Sequence, residues 1–79
     1  MSNFQKYVAA FTSTFMVEES ALADLKYQEV AAWDSVGHMA LMAALEETFA
    51  VEMDIDDIID FSSFEAGRSI LAKYNVSME

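Results

Sequence analysis

The sequence predicts a small all-α protein: a four-helix bundle of three principal helices and one short helix, with a long loop between the first two. Turn residues are scarce, with two Gly and no Pro in 79 residues, which argues against an all-β fold. Apolar residues also recur at helical spacings of three and four over long segments. Hydrophobic residues make up 54% of the chain, which is enough for the core of one freestanding domain over residues 1–79. Because there is no Cys, no disulfide can reinforce the fold, and its stability must come from this core.

The first helix is predicted over residues 3–17. Ser2 or Asn3 is a suitable N-cap, since both side chains can accept a bond from the first turn. An apolar stripe at this spacing is typical of a surface that faces the core. The stripe consists of Phe4, Tyr7, Val8, Phe11, Phe15 and Met16.

Residues 18–33 lack helical periodicity and are interpreted as the long loop. A loop of this length is uncommon in a compact domain and is often functional. We expect its scattered apolar residues to pin it to the helices. They are Leu22, Leu25, Tyr27, Val30 and Trp33.

A second helix is predicted from Asp34, a favoured N-cap, to about Ala50, which places Ser35 at its first position. Glu46 and Glu47 are expected on its solvated side. Its core face is expected to comprise Met39, Leu41, Met42, Leu45 and Phe49.

The remainder predicts one short and one longer helix. The short helix is expected to turn three residues inward: Ile55, Ile58 and Ile59. Ser62 and Glu65 form the pattern of a capping box for the last helix. The chain is expected to fray from residue 76. The apolar residues of the last helix are Phe64, Ile70, Leu71 and Tyr74.

Charge excludes several classes of function. Fourteen acidic residues against four basic ones give a formal net charge of -10, which disfavours binding to nucleic acids and to anionic membranes. No apolar run approaches the roughly 18 residues of a membrane span, so no membrane insertion is expected. Polar residues at positions 12–14 also interrupt any secretory signal, so we expect a cytoplasmic protein. We also expect a monomer. The acidic residues between Lys26 and Arg68 are either a solvated surface or a docking surface for partners with basic patches.

Metal binding and catalysis are both poorly matched by this sequence. Counted from Asp54, the fifth and sixth positions of a calcium loop would be Ile58 and Ile59, so we expect no metal. Ser35 and His38 lie three residues apart, but a Ser-His hydrolase also needs an oxyanion hole and a group that orients the imidazole. No Gly-x-Ser-x-Gly motif is present, and we expect no enzyme. A phosphate ester on Ser35 would suit a helix N-terminus, although an isolated Asp-Ser pair is usually only a cap.

Several motifs in register resemble the acyl carrier protein family. Asp34-Ser35-Val36 is followed by Leu41 and then by Leu-Glu-x-x-Phe at residues 45–49. An acidic "DIDD" stretch and an Ile-Ile pair stand where the short third helix of the family belongs. The resemblance covers residues 34–71, and the N-terminal aromatic helix suits the family's first helix.

The resemblance implies that Ser35 receives 4′-phosphopantetheine from coenzyme A through a separate phosphopantetheinyl transferase. The thiol of that arm would hold acyl or aminoacyl groups as thioesters for loading and using enzymes that carry basic docking patches. Asp34 would cap the helix and flank the modification site. The residues implied to face partners are Val36, Glu46, Glu47, Asp54, Asp56 and Asp57.

Two residues depart from the family's pattern. Gly37 and His38 replace the acidic and polar pair that is common in fatty-acid carriers. The departure favours a specialised pathway, such as polyketide, nonribosomal-peptide or polysaccharide-modifying synthesis. The alternative from another class is an acidic helical adaptor that carries no modification.

Overall fold

The computed structural model describes residues 1–78, and these fold into four α-helices and one 3-10 turn. An isolated antiparallel bridge between Lys26 and Ser63 occurs in this part of the chain, but no β-strand does. The prediction of an all-α protein is confirmed. None of the described helices combines the length and the apolar character that crossing a membrane requires. The elements are α1 (Asn3–Phe15), the 3-10 turn (Glu19–Ala21), α2 (Ser35–Phe49), α3 (Ile55–Asp60) and α4 (Phe64–Ala72).

Local hydrogen bonds define both ends of α1. The Ser2 hydroxyl accepts the amide of Gln5 at 3.1 Å, and the Ser2 amide donates to the Gln5 side chain at 2.9 Å, which completes a capping box. The helix stops at Phe15 because Met16 adopts a left-handed conformation with φ of 56° and donates its amide to Thr12. Met16 is 86% exposed, so its predicted place in the core stripe was wrong.

The core is dominated by aromatic rings from α1. Tyr7 and Phe11 are fully buried, and Phe11 contacts five other rings. The Tyr7 hydroxyl donates to the carbonyl of Phe64 at 2.6 Å, which satisfies its polar atom inside the core. α1 also packs against α2. The rings around Phe11 are those of Tyr7, Phe15, Trp33, Phe61 and Phe64.

The segment between α1 and α2 is fixed to the helices much as expected. Its backbone forms hydrogen bonds with the residues at the start of α4. The amide of Tyr27 donates to the carbonyl of Ser62 at 2.9 Å, and the amide of Phe64 donates to the carbonyl of Leu25 at 2.9 Å. Leu22, Leu25 and Trp33 are buried, while Tyr27 and Val30 are partly buried against the core.

These backbone bonds also shift the start of α4. Because the carbonyl of Ser62 is engaged by the segment after α1, the helix begins one residue later than predicted. Ser63 is the N-cap, and its hydroxyl accepts the amide of Ala66 at 2.9 Å. Glu65 contacts Arg68 at 3.4 Å instead of completing a capping box with Ser62.

The orientation of α3 differs most from the prediction. Ile55 and Ile59, one turn apart, are 73% and 71% exposed, and Ile58 is only half-buried. Asp57, on the opposite side of the helix, is 8% exposed and faces the end of α4. A six-residue helix has one inward face, and here a carboxylate with two partners occupies it.

The C-terminal residues were predicted to fray from residue 76, but the first of them is packed against the core. Val76 is buried, and its amide donates to the carbonyl of Leu71 at 3.2 Å. The predicted fraying from residue 76 is therefore wrong at Val76. Glu79 lies outside the described residues.

Candidate functional site

Ser35 occupies the first position of α2, as the sequence predicted. The Asp34 carboxylate accepts the amide of Gly37 at 2.8 Å, and its carbonyl accepts the amide of His38 at 2.7 Å. These bonds fix the start of the helix and leave the exposed Ser35 hydroxyl beside the first-turn amides. The serine is therefore accessible to a modifying enzyme.

Beside Ser35 lies an open groove of about 440 Å³ whose lining is mostly apolar. One wall comes from α2 and the other from α3. The Tyr27 hydroxyl lies 3.4 Å from the Ser35 hydroxyl at the edge of this groove. Sequence periodicity did not reveal the groove, because it depends on how α3 packs. The lining residues are Tyr27, Ser35, His38, Met39, Ile55, Ile58, Ile59, Phe61 and Ser62.

Large apolar side chains are exposed around Ser35. Val36 follows the serine directly, Met39 lies one turn further along α2, and Ile55 and Ile59 lie on α3. Met39, Ile55 and Ile59 were predicted to lie in the core, and that prediction is wrong, because all three side chains are exposed. We call these four residues the apolar surface.

The six residues implied to face partners separate into two groups. Four of them are exposed, so their contact with partners stays a prediction: Val36, Glu47, Asp54 and Asp56. Glu46 is half-buried, and its carboxylate accepts the amide of Met53 at 2.9 Å. Asp57 is buried. Its carboxylate belongs to an intramolecular contact and not to an exposed acidic surface.

Asp57 joins α3 to the end of α4. One carboxylate oxygen lies 2.5 Å from the Lys73 ammonium, and the other accepts the Tyr74 hydroxyl at 2.5 Å. Tyr74 in turn accepts the amide of Asp54 at 2.9 Å. Hydrogen bonds from Lys73 and then Tyr74 lower the pKa of Asp57, and the bond to Asp57 raises the pKa of Lys73.

His38 uses both ring nitrogens within the fold. The Trp33 indole N–H donates to Nδ1 at 2.9 Å, and Nε2 lies 2.8 Å from the carbonyl of Ile58. An indole only donates and a carbonyl only accepts, so this geometry assigns the neutral tautomer with its proton on Nε2. Neither nitrogen bonds to Ser35, whose hydroxyl contact is with Tyr27. No motif or spacing in the sequence indicates this bridge, because His38 and Ile58 lie 20 residues apart.

Gly37 is required by the approach of the preceding loop. A Cβ atom at this position would lie 1.8 Å from the carbonyl oxygen of Ala32 and 3.3 Å from the Phe15 ring. Backbone cannot yield as a flexible side chain does. The sequence analysis identified this glycine as a departure from the family's pattern, but its steric role depends on a contact between residues five apart.

Among residues 1–78 there is no group of three or more His, Cys, Asp or Glu side chains placed to hold a metal ion. Comparisons with protein-family models, with curated proteins and with solved structures found no match for this chain. The site itself is therefore the basis for the function proposed below.

Proposed function

We propose that this chain is a carrier protein with a four-helix bundle and that Ser35 carries 4′-phosphopantetheine. A separate phosphopantetheinyl transferase would supply the arm from coenzyme A, and the thiol of the arm would hold acyl or aminoacyl cargo as a thioester. One observation carries the proposal: an exposed serine hydroxyl at the first position of α2 lies at the edge of an apolar groove.

The surroundings of Ser35 suit a phosphate ester. Backbone amides of the first turn and the positive end of the helix dipole both favour a negative charge at this position. The Tyr27 hydroxyl, 3.4 Å from the Ser35 hydroxyl, is a further hydrogen-bond donor. The prosthetic arm supplies the thiol that a chain without Cys lacks.

The bonds of His38 support a carrier over a hydrolase. A general base must reach the hydroxyl that it activates, and both imidazole nitrogens are already bonded to Trp33 and Ile58. Partner enzymes would therefore perform the chemistry on the cargo.

The surface around Ser35 defines the kind of partner that would dock. Val36, Met39, Ile55 and Ile59 offer apolar contact, and the exposed acidic residues Asp54 and Asp56 lie on or next to α3. A partner with an apolar patch bordered by Lys and Arg would complement this arrangement. The rate of modification should fall as salt rises from low to physiological concentration, because screening weakens steering. A rate that does not change with salt would contradict the electrostatic part of this proposal.

The test is intact-mass measurement of the purified chain after incubation with coenzyme A and a broad-specificity phosphopantetheinyl transferase. We expect the wild-type chain to gain one phosphopantetheine group. Ser35→Ala should abolish the gain. Ser62→Ala is the matched control, since Ser62 is an exposed serine that lines the same groove. Absence of any gain with several transferases would refute the carrier and favour the unmodified acidic adaptor.

A further inference from the structure

The short helix α3 is attached to the rest of the molecule at two different places. On one side Asp57 joins it to Lys73 and Tyr74. On the other side the carbonyl of Ile58 bonds to His38 of α2. The groove beside Ser35 lies between α2 and α3, so the second attachment links its two walls.

The two groups that bond to the His38 imidazole have few other hydrogen-bond partners. The Trp33 side chain is fully buried, and its indole N–H has the imidazole Nδ1 as its acceptor. The carbonyl of Ile58 also accepts the amide of Phe61, but at a longer 3.4 Å. The imidazole is therefore the closer partner of this carbonyl, at 2.8 Å, and ties the last turn of α3 to α2.

We propose that His38 is a positioning residue that holds α3 against α2 while its imidazole is neutral, and that protonation loosens α3 and opens the groove beside Ser35. The effect belongs to the unmodified chain and does not require the carrier function. Where the carrier function holds, the consequence is that access of cargo to the groove depends on pH.

Protonation is disruptive because of the role of Nδ1. A proton there would set two N–H donors 2.9 Å apart and leave the buried Trp33 indole without an acceptor. Leaving a buried donor unpaired is costly. The imidazolium would have to rotate or withdraw, and either movement breaks the bond to Ile58.

Other titratable groups do not account for the same effect. Tyr27 faces the imidazole edge-on with ring centres 5.4 Å apart. Among residues 1–78, no Asp, Glu, Lys or Arg lines the groove. Asp34 of the same helix is engaged with the amide of Gly37. On the far side of α3, the lowered pKa of Asp57 keeps its pair with Lys73 ionised over the range in which imidazoles titrate.

The chain is well suited to a spectroscopic test because it has one His and one Trp. Long-range ¹H–¹⁵N spectra of the unmodified protein at about pH 8 should show the proton on Nε2 of His38. Acidification to about pH 5 should shift the Trp33 indole resonance, because a proton on Nδ1 removes the acceptor of the indole N–H. Exchange protection factors of the Ile58 and Phe61 amides should fall roughly tenfold, which is the size expected for a lost buried hydrogen bond. Amides in the centre of α1 should keep their protection.

Two variants separate the bridge from simple packing. His38→Gln keeps a donor for the Ile58 carbonyl and does not titrate, so α3 should remain protected at both pH values. His38→Phe keeps a ring without a donor, so α3 should be poorly protected at both. A proton on Nδ1 at about pH 8, an indole resonance that does not change between about pH 8 and pH 5, or wild-type protection in His38→Phe would each overturn the proposal. Failure of Ser35 to accept phosphopantetheine would alter none of these results.

Discussion

Apolar side chains are buried on the α1–α4 side of the molecule, whereas several are exposed on the α2–α3 side. Tyr7, Phe11 and Phe64 are buried, and the Tyr7 hydroxyl is satisfied by a backbone carbonyl. Around Ser35, by contrast, Val36 and Ile59 are each more than two-thirds exposed. The first side provides stability, because burial of apolar area is the main favourable contribution to folding and each aromatic ring buries a large area.

On the α2–α3 side, apolar area remains exposed to solvent in the folded chain. Single exposed apolar residues are ordinary in proteins, but a contiguous group bordering a groove is typical of a binding surface. The apolar surface lies beside Ser35, the serine that the sequence motif indicates as the candidate site. The aromatic core therefore accounts for stability, and we propose a recognition role for the surface around Ser35.

The largest effect is expected on the core side. Phe11→Ala removes a fully buried ring that contacts five others, and should lower the free energy of unfolding by about 3–5 kcal/mol. Urea unfolding followed by far-UV circular dichroism measures the change. A loss well under about 1 kcal/mol would mean that the aromatic cluster is not the main stabilising unit.

Gly37→Ala tests the junction between the two sides. Propensity alone would make this change stabilising by up to about 1 kcal/mol in a helix. The Ala32 carbonyl occupies the space of the new methyl group, so we expect destabilisation of about 1–3 kcal/mol instead. Ala43→Gly, at an exposed position of the same helix, is the propensity control. Stabilisation by Gly37→Ala in the same urea assay would disprove the close approach.

Asp57→Asn tests the attachment of α3 to α4 through its dependence on pH. Because the pKa of Asp57 is lowered below its ordinary 3.8 in the folded protein, its contribution is present above that pH and is lost as pH falls through the folded value. The variant should therefore be less stable than wild type at about pH 7, and the difference should shrink at about pH 3. Urea midpoints of both proteins at the two pH values give the comparison. An equal difference at both would show that ionised Asp57 contributes nothing.

The smallest effect on stability is expected at the apolar surface. Ile59→Ala should change the free energy of unfolding by no more than about 0.5 kcal/mol, since Ile59 is exposed. Ile70→Ala is the matched control at a buried position and should cost about 2–5 kcal/mol. Binding of an apolar fluorescent dye should weaken in Ile59→Ala. Unchanged dye binding would argue against a recognition role for this surface.

The sequence was sufficient wherever local chemistry decided the structure. Ser2 and Asp34 were predictable caps, since a cap contacts the amides of its own first turn. Periodicity over several turns indicated most of the core positions of α1, but it wrongly included Met16. Ser62 failed as a cap because its carbonyl is engaged by Tyr27, a partner that is distant in sequence.

The site was only partly predictable for the same reason. Ser35 was identified by a local motif in register with Leu41 and Phe49. The groove and the His38 bridge depend on contacts across 20 residues, and α3 is too short for apolar periodicity to indicate which face is buried. Asp57 was assigned to an exposed surface because its partners at the end of α4 cannot be read from spacing.

We propose that Ser35 carries the prosthetic arm in the living cell. Mass spectrometry of the protein isolated from its native cells, under conditions that preserve thioesters, tests it most directly. We expect a peptide in which Ser35 bears 4′-phosphopantetheine, with the cargo still attached in part of the population. An unmodified Ser35 in cells whose other carrier proteins are fully modified would contradict it.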